Sequence, residues 1–222
     1  MYRVGYQMGK SDMNNIITRH IPEIDIREID NISFEDVLQK SLHKSVDYDA
    51  DKWLYVPNSY TEYRYILGTK GKNPIICIGI NPSTAKPGAL DPTLKSVERI
   101  ALANGYDSFL MMNVIAQRAT LPDDLDTKFN KALHEENMKS FEYVLSLTAN
   151  PHIWAAWGTI IMKRPYLMNC LSDIASLSKD CNTTWLCAGE CSKAGHPHHP
   201  LYLKKDEQLK LFDIENYLNQ AF

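Results

Sequence analysis

The sequence predicts a three-layer α/β/α domain built on a central, mainly parallel four-stranded sheet, with an N-terminal hairpin and extension. Three observations predict it. From residue 74 onward, short apolar runs alternate with helical stretches, as strands do in a parallel sheet covered on both faces. The runs end in polar or glycine-containing breaks, where open α/β sheets bind their ligands. The length, 222 residues of which 44% are hydrophobic, suits one such domain with decoration and not two.

Residues 1–50 are polar and mixed, and read as an extension lying on the domain of residues 51–222. Ile24 to Ile29 alternates as a short strand would, and Ser33 opens a short helix. Trp53–Val56 and Tyr63–Leu67 are β-like, with Pro57-Asn58-Ser59 between them and Gly68 after, and predict a hairpin at a sheet edge. The four parallel strands are expected at 75–80, 108–113, 152–157 and 183–188. After the first, Asp91 is an N-cap, Pro92 sits at the first helical position, and Leu94, Val97, Ile100 and Ala101 form a stripe stopped by Gly105. A helix at 130–147 carries Leu133, Phe141, Val144 and Leu145 on one face, with Asn137 and Lys139 leaving its first half polar. Pro165 must bend or restart the helix at 160–177, and a closing helix is expected at 205–220.

Net charge is −3 and the sequence pI about 6.2, so no global basic field supports nonspecific nucleic-acid binding. The start, Met1 to Lys10, lacks an apolar core of signal-peptide length, and apolar runs reach only about six residues. These features predict a cytoplasmic protein without a membrane partner. The five cysteines read as reduced thiols. Cys187 and Cys191, followed by His196, His198 and His199, have the chemistry of zinc ligands, but their spacing matches no familiar finger and Cys187 lies in an apolar strand. No metal is expected.

Because parallel strands run the same way, the residues just past them collect on one rim: Asn81, Asn113, Trp157 and the loop His196 to Tyr202. Gly79-Ile80-Asn81-Pro82-Ser83 brackets one amide between a Gly and a Pro, which holds it in a fixed turn. An amide offers both donors and an acceptor, matching the edge of a pyrimidine or another lactam, and an imidazole can donate to a developing oxyanion. Plainer readings stand beside these. Asn81 or Asn113 could serve only its own turn, Trp157 the core, and Asp91 its helix cap, while Arg118 meets either a phosphate or a carboxylate.

Together these residues resemble the uracil-DNA glycosylase superfamily. Gly79-Ile80-Asn81-Pro82 is similar to the motif of its mismatch-specific branch, whose Asn positions the attacking water. Asp107 to Asn113 resembles the strand whose terminal Asn reads the uracil edge, and Ile153 to Gly158 the next strand of that fold. His199-Pro200 is similar to the motif whose His stabilises the departing pyrimidine anion. Three segments, namely Asn81-Pro82-Ser83-Thr84-Ala85, Asp91-Pro92-Thr93 and His199-Pro200-Leu201-Tyr202-Leu203, resemble more closely a prokaryotic and phage family of unassigned function.

The resemblance, over about residues 74–220, implies catalytic roles for Asn81 and His199 and a nucleobase-containing substrate, with DNA one candidate polymer. Gly79, Ile80, Pro82, Ser83, Asn113, Arg118, Trp157 and Tyr202 complete the expected substrate site. It implies no metal or organic cofactor. Leu201 stands where the glycosylases carry Ser, and residues 83–94 hold no aromatic to stack on a flipped base, although Tyr202 offers one nearby. Two rivals therefore stay open: a protein that binds a modified base without cutting it, and an N-glycosidase acting on free nucleosides or nucleotides.

Overall fold

The computed structural model describes residues 19–22 and 31–221, so the strand expected at 24–29 lies outside the described residues. Its centre is a seven-stranded sheet ordered β1-β2-β4-β3-β5-β6-β7, formed by β1 (Trp53–Val56), β2 (Ile66–Thr69), β3 (Pro74–Gly79), β4 (Ser108–Asn113), β5 (His152–Ala155), β6 (Thr184–Ala188) and β7 (Leu209–Leu211). Pairings β4·β3, β3·β5 and β5·β6 are parallel, whereas β1·β2, β2·β4 and β6·β7 are antiparallel. The expected sheet of four strands is thus corrected to seven. The four parallel strands lie at its centre, and antiparallel neighbours extend it on both sides.

Alternation along the central strands sends side chains to two apolar clusters. Ile76, Ile78, Leu110, Met112, Ile153 and Ala155 face one side, with residues of α1 (Phe34–Ser41), α3 (Lys131–Ser146), α4 (Pro165–Lys179) and α5 (Ile214–Ala221). Ile75, Cys77, Phe109, Met111, Trp154 and Ala156 face the other, against Leu94, Val97, Ile100 and Ala101 of α2 (Pro92–Ala103). Burying the three larger residues of that α2 stripe is worth about 2 kcal/mol each. Helices therefore cover both faces of a mixed α/β sheet. Phe34, Val37 and Leu38 of α1 belong to the first cluster, so this part of the N-terminal extension contributes to the core.

Side-chain caps hold three helix starts, those at Asp91 and Ser33 as expected and one at Asn130. Asp91 Oδ1 accepts from Leu94 N at 2.9 Å, Asn130 Oδ1 from Leu133 N at 3.1 Å, and the Ser33 hydroxyl from Asp36 N at 3.4 Å. Pro165 restarts the chain: a 3-10 turn at Gly158–Met162 stops short of it, and α4 begins at the proline itself.

Two boundaries differ from expectation. The second hairpin strand does not end at Gly68 but runs through it, because Gly68 pairs with Leu110 of β4. A Cβ there would stand 2.0 Å from the Phe109 carbonyl oxygen, so only glycine lets the strands approach. Tyr63 and Arg64 instead meet the chain after β4, with Tyr63 bridged to Gln117 and Arg64 N donating to Ala116 O at 2.9 Å. The closing helix starts at Ile214 and not at 205, since Leu209–Leu211 is taken up as β7 on the edge of β6. Asn104, just past α2, fixes this strand by donating to Glu207 O at 2.9 Å and accepting from Leu209 N at 3.0 Å.

Candidate functional site

The site begins where β3 and β4 end together. Gly79 is in register with Asn113, and a Cβ on Gly79 would lie 2.6 Å from Met111 Cε and 3.0 Å from Asn113 Nδ2. The Asn113 amide thus lies close against the end of β3, where a side chain at position 79 would press on it and on Met111. The chains stay joined beyond the sheet: Val114 N donates to Gly79 O, Ile115 N to Ile80 O and Ala119 N to Pro82 O. The Ile80 side chain is buried in the core, and Ser83 Oγ lies 3.1 Å from Thr120 Oγ1.

Asn81 is half-buried, and its Nδ2 donates to Ala119 O at 2.7 Å and Pro82 O at 3.0 Å. Two carbonyl partners identify that atom as nitrogen, which fixes the amide and leaves Oδ1 as an acceptor without a donor among the described residues. Asn113 is 1% exposed and shows the opposite polarity. Its Oδ1 accepts from Arg64 Nη2 at 3.4 Å, while its Nδ2 is buried without a partner. Asn137 of α3 reaches across to hold the same strand end, donating from Nδ2 to Asn113 O at 3.0 Å and Val114 O at 3.3 Å.

Arg64 and Arg118 are both enclosed, at 1% and 0% exposure. Arg64 Nη1 donates to Ala85 O at 3.3 Å. Arg118 Nη1 donates to Ser83 O and, at 3.5 Å, to the same Ala85 O, and its Nη2 donates to Tyr55 OH at 3.1 Å. The Tyr60 ring covers the Arg118 guanidinium at 4.2 Å. Among the described residues neither arginine forms an ion pair, and the Nε of each has no hydrogen-bond partner. Arg118 therefore meets neither of its sequence-expected partners among the described residues. Burial, and secondarily the neighbouring Arg118 charge, push the Arg64 guanidinium down to about 9, still protonated at neutral pH.

His199 lies past the end of β5, where a Cβ on Gly158 would stand 3.2 Å from the His199 Cβ. Ser96 Oγ of α2 donates to Pro200 O at 2.7 Å and anchors the loop. The imidazole Nδ1 accepts from Leu201 N at 3.4 Å, so the neutral ring carries its proton on Nε2. Burial lowers the His199 pKa, with the Asp91 carboxylate partly opposing it. The same Asp91 charge acts on Arg64, which links the α2 start to both groups.

Two expected contacts are placed elsewhere. The Trp157 ring is fully buried among Trp185, Phe212 and Tyr217, and its Nε1 donates to Tyr217 OH at 3.1 Å. It is a core residue because the chain turns inward at the end of β5, which corrects its assignment to the substrate site. Tyr202 is 80% exposed, with its ring centroid 5.9 Å from that of His199, so it borders the site without enclosing it. His196 is bound to Tyr217 OH at 2.8 Å, and burial pushes the Cys187 thiol up to about 12. Among the described residues no three His, Cys, Asp or Glu side chains are grouped to hold a metal ion.

The sequence reading missed Arg64 and Asn137. Arg64 sat within a strand-like run between two tyrosines, and a lone charge there was the available signal. Asn137 was assigned to a polar helix face.

Compared with protein-family models, residues 64–201 match the family described as protein of unknown function (DUF1643). The chain belongs to this family. The DUF1643 segment begins at Arg64 and includes Asn81, Asn113, Arg118, Asn137 and His199, while Tyr55, Tyr60 and Tyr202 lie outside it. No curated protein and no solved structure matches the chain.

Proposed function

We propose that this DUF1643 protein binds a nucleobase at the rim formed by the ends of β3, β4 and β5 and hydrolyses its N-glycosidic bond. The observation that carries the reading is the opposite polarity left open by two amides at adjoining strand ends. Among the described residues, Asn81 spends its Nδ2 on two carbonyls, leaving the oxygen, and Asn113 has a buried Nδ2 without a partner. A buried donor without a partner costs about 1–3 kcal/mol, a cost that a base carbonyl placed against it would remove.

In this reading Asn113 Nδ2 donates to a carbonyl on the base, and Asn81 Oδ1 accepts a hydrogen bond from the attacking water. His199, neutral and protonated on Nε2, donates to the base as negative charge collects on it. An amide cannot remove a proton from water as a carboxylate would, so rate enhancement rests on orientation and leaving-group stabilisation. The similarity of these segments to uracil-DNA glycosylase motifs supports the same assignment. A net charge of −3 favours a free nucleotide over polymeric DNA.

The test incubates the protein with deoxyuridine nucleotides and with single- and double-stranded DNA carrying uracil or bulkier pyrimidines. Released base is read by chromatography, and abasic sites by alkaline cleavage. Base release that disappears in Asn81→Ala supports hydrolysis. Binding without release supports the non-cutting rival, which Leu201 in place of the glycosylase Ser favours. No binding to any base-containing ligand refutes the reading.

A further inference from the structure

Among the described residues, three buried donors near the 79–85 segment have no acceptor: Arg64 Nε, Arg118 Nε and Asn113 Nδ2. The two guanidinium groups converge on one carbonyl, that of Ala85, and lie side by side without an ion-pair partner among the described residues. A loop clamp alone accounts for the Nη atoms, which bind Ser83 O, Ala85 O, Tyr55 OH and Asn113 Oδ1. It does not account for enclosing two like charges together, an arrangement that self-repulsion and desolvation both oppose. A bound anion offsets both penalties, and a planar guanidinium fork suits phosphate in particular.

We propose that Arg64 and Arg118 form an oxyanion subsite that takes the phosphate group of the ligand whose base faces Asn113. The proposal rests on the nucleobase reading for the identity of the rest of that ligand. Arg64 joins the two halves, since one guanidinium touches Asn113 Oδ1 and shares Ala85 O with Arg118. Entry is from the Tyr60 side. That ring stacks on Arg118 yet is 46% exposed, and its hydroxyl is held by His20 Nδ1 at 3.0 Å. Tyr60 lies between β1 and β2 and outside both, so turning its ring away from Arg118 costs the His20 hydrogen bond and no strand pairing.

Calorimetry on the full chain tests this with deoxyuridine, deoxyuridine 5′-monophosphate, inorganic phosphate and a short single-stranded oligonucleotide containing deoxyuridine, all at one ionic strength set with chloride. The expected result is that the monophosphate binds about tenfold or more tightly than the nucleoside, one charge-assisted contact or better. Within the Arg118→Lys variant the monophosphate should bind no more tightly than the nucleoside, a ratio that any general loss of affinity leaves readable. The oligonucleotide arm assigns the source: preference for it over the monophosphate makes the phosphate a DNA backbone group, and the reverse makes it a free nucleotide's. Equal affinity for nucleoside and monophosphate, with inorganic phosphate raising the melting temperature no more than chloride does, overturns the subsite. If no nucleoside or nucleotide binds but phosphate stabilises wild type and not Arg118→Lys, the subsite stands and the nucleobase reading fails. Should Arg118→Lys not fold, the wild-type comparison of nucleoside, monophosphate and phosphate decides by the same criteria.

Discussion

Asn137→Ala is the substitution that most directly tests how the site is held. Asn137 is fully buried on α3, and its Nδ2 reaches two backbone carbonyls at the end of β4, Asn113 O at 3.0 Å and Val114 O at 3.3 Å. Alanine removes both bonds without supplying water to replace them. An unsatisfied buried acceptor costs about 1–3 kcal/mol, and the two bonds share one nitrogen, so the loss is about 2–4 kcal/mol. For a chain of this size 1 kcal/mol shifts the melting temperature by roughly 2–4 °C, which places the expected drop at about 4–16 °C. Urea denaturation followed by tryptophan fluorescence should show a lower midpoint with an unchanged slope. Asn137→Asp should be worse than Asn137→Ala, because a carboxylate has no proton to give either carbonyl. Ligand affinity should fall in both, since Asn113 loses the support that sets its position. An Asn137→Ala midpoint equivalent to less than about 0.5 kcal/mol of destabilisation, or an Asp variant as stable as wild type, would refute the bridge from α3 to β4.

Further outcomes follow from the same geometry. Gly68→Ala must displace the Phe109 carbonyl, 2.0 Å from the new Cβ, and should destabilise by about 3 kcal/mol or prevent soluble expression; thermal unfolding as in wild type would contradict the β2·β4 pairing. Asn81→Ala should abolish turnover with ligand affinity largely kept, whereas Asn113→Ala should weaken binding and relax base choice; both retaining full activity in steady-state kinetics would remove the assigned roles. His199 and His196 have pKa values lowered by burial below the usual 6.5, so the unfolded chain takes up protons first as the pH falls. Their contribution to stability is intact above the unfolded value and is lost progressively below it. Urea midpoints should therefore decrease between about pH 7.5 and about pH 5.5, and a His196→Gln/His199→Gln variant should show a smaller decrease; an unchanged slope against pH in that variant would contradict the burial of these rings.

Much of the fold was written in local sequence. Asp91 before Pro92 and Pro165 at the start of α4 act through the nearest turn of backbone, so their effects do not depend on what packs around them. The apolar runs from Ile75, Phe109, Ile153 and Trp185 likewise marked the parallel centre, because strands buried on both faces need continuous hydrophobicity. Asn81 and Asn113 were legible as strand-end amides for the same reason.

Tertiary contacts decided the rest. Leu209–Leu211 lies in a stretch that reads as helix, yet the free edge of β6 and the amide of Asn104 draw it into a strand. Trp157 follows the apolar run of β5 like a rim residue, but a pocket of Trp185, Phe212 and Tyr217 brought from distant parts of the chain encloses it. Arg64, a lone charge in a strand-like run, and Asn137, on a polar helix face, carry no local sign of the partners they meet. One joins the site because the chain before β2 lies against the segment after β4, and the other because α3 packs over the strand end. Hydrogen-bond polarity was settled there too: an isolated Asn offers donors and acceptor alike, and only the carbonyls of Pro82 and Ala119 and the guanidinium of Arg64 determine which end of each amide is used within the fold.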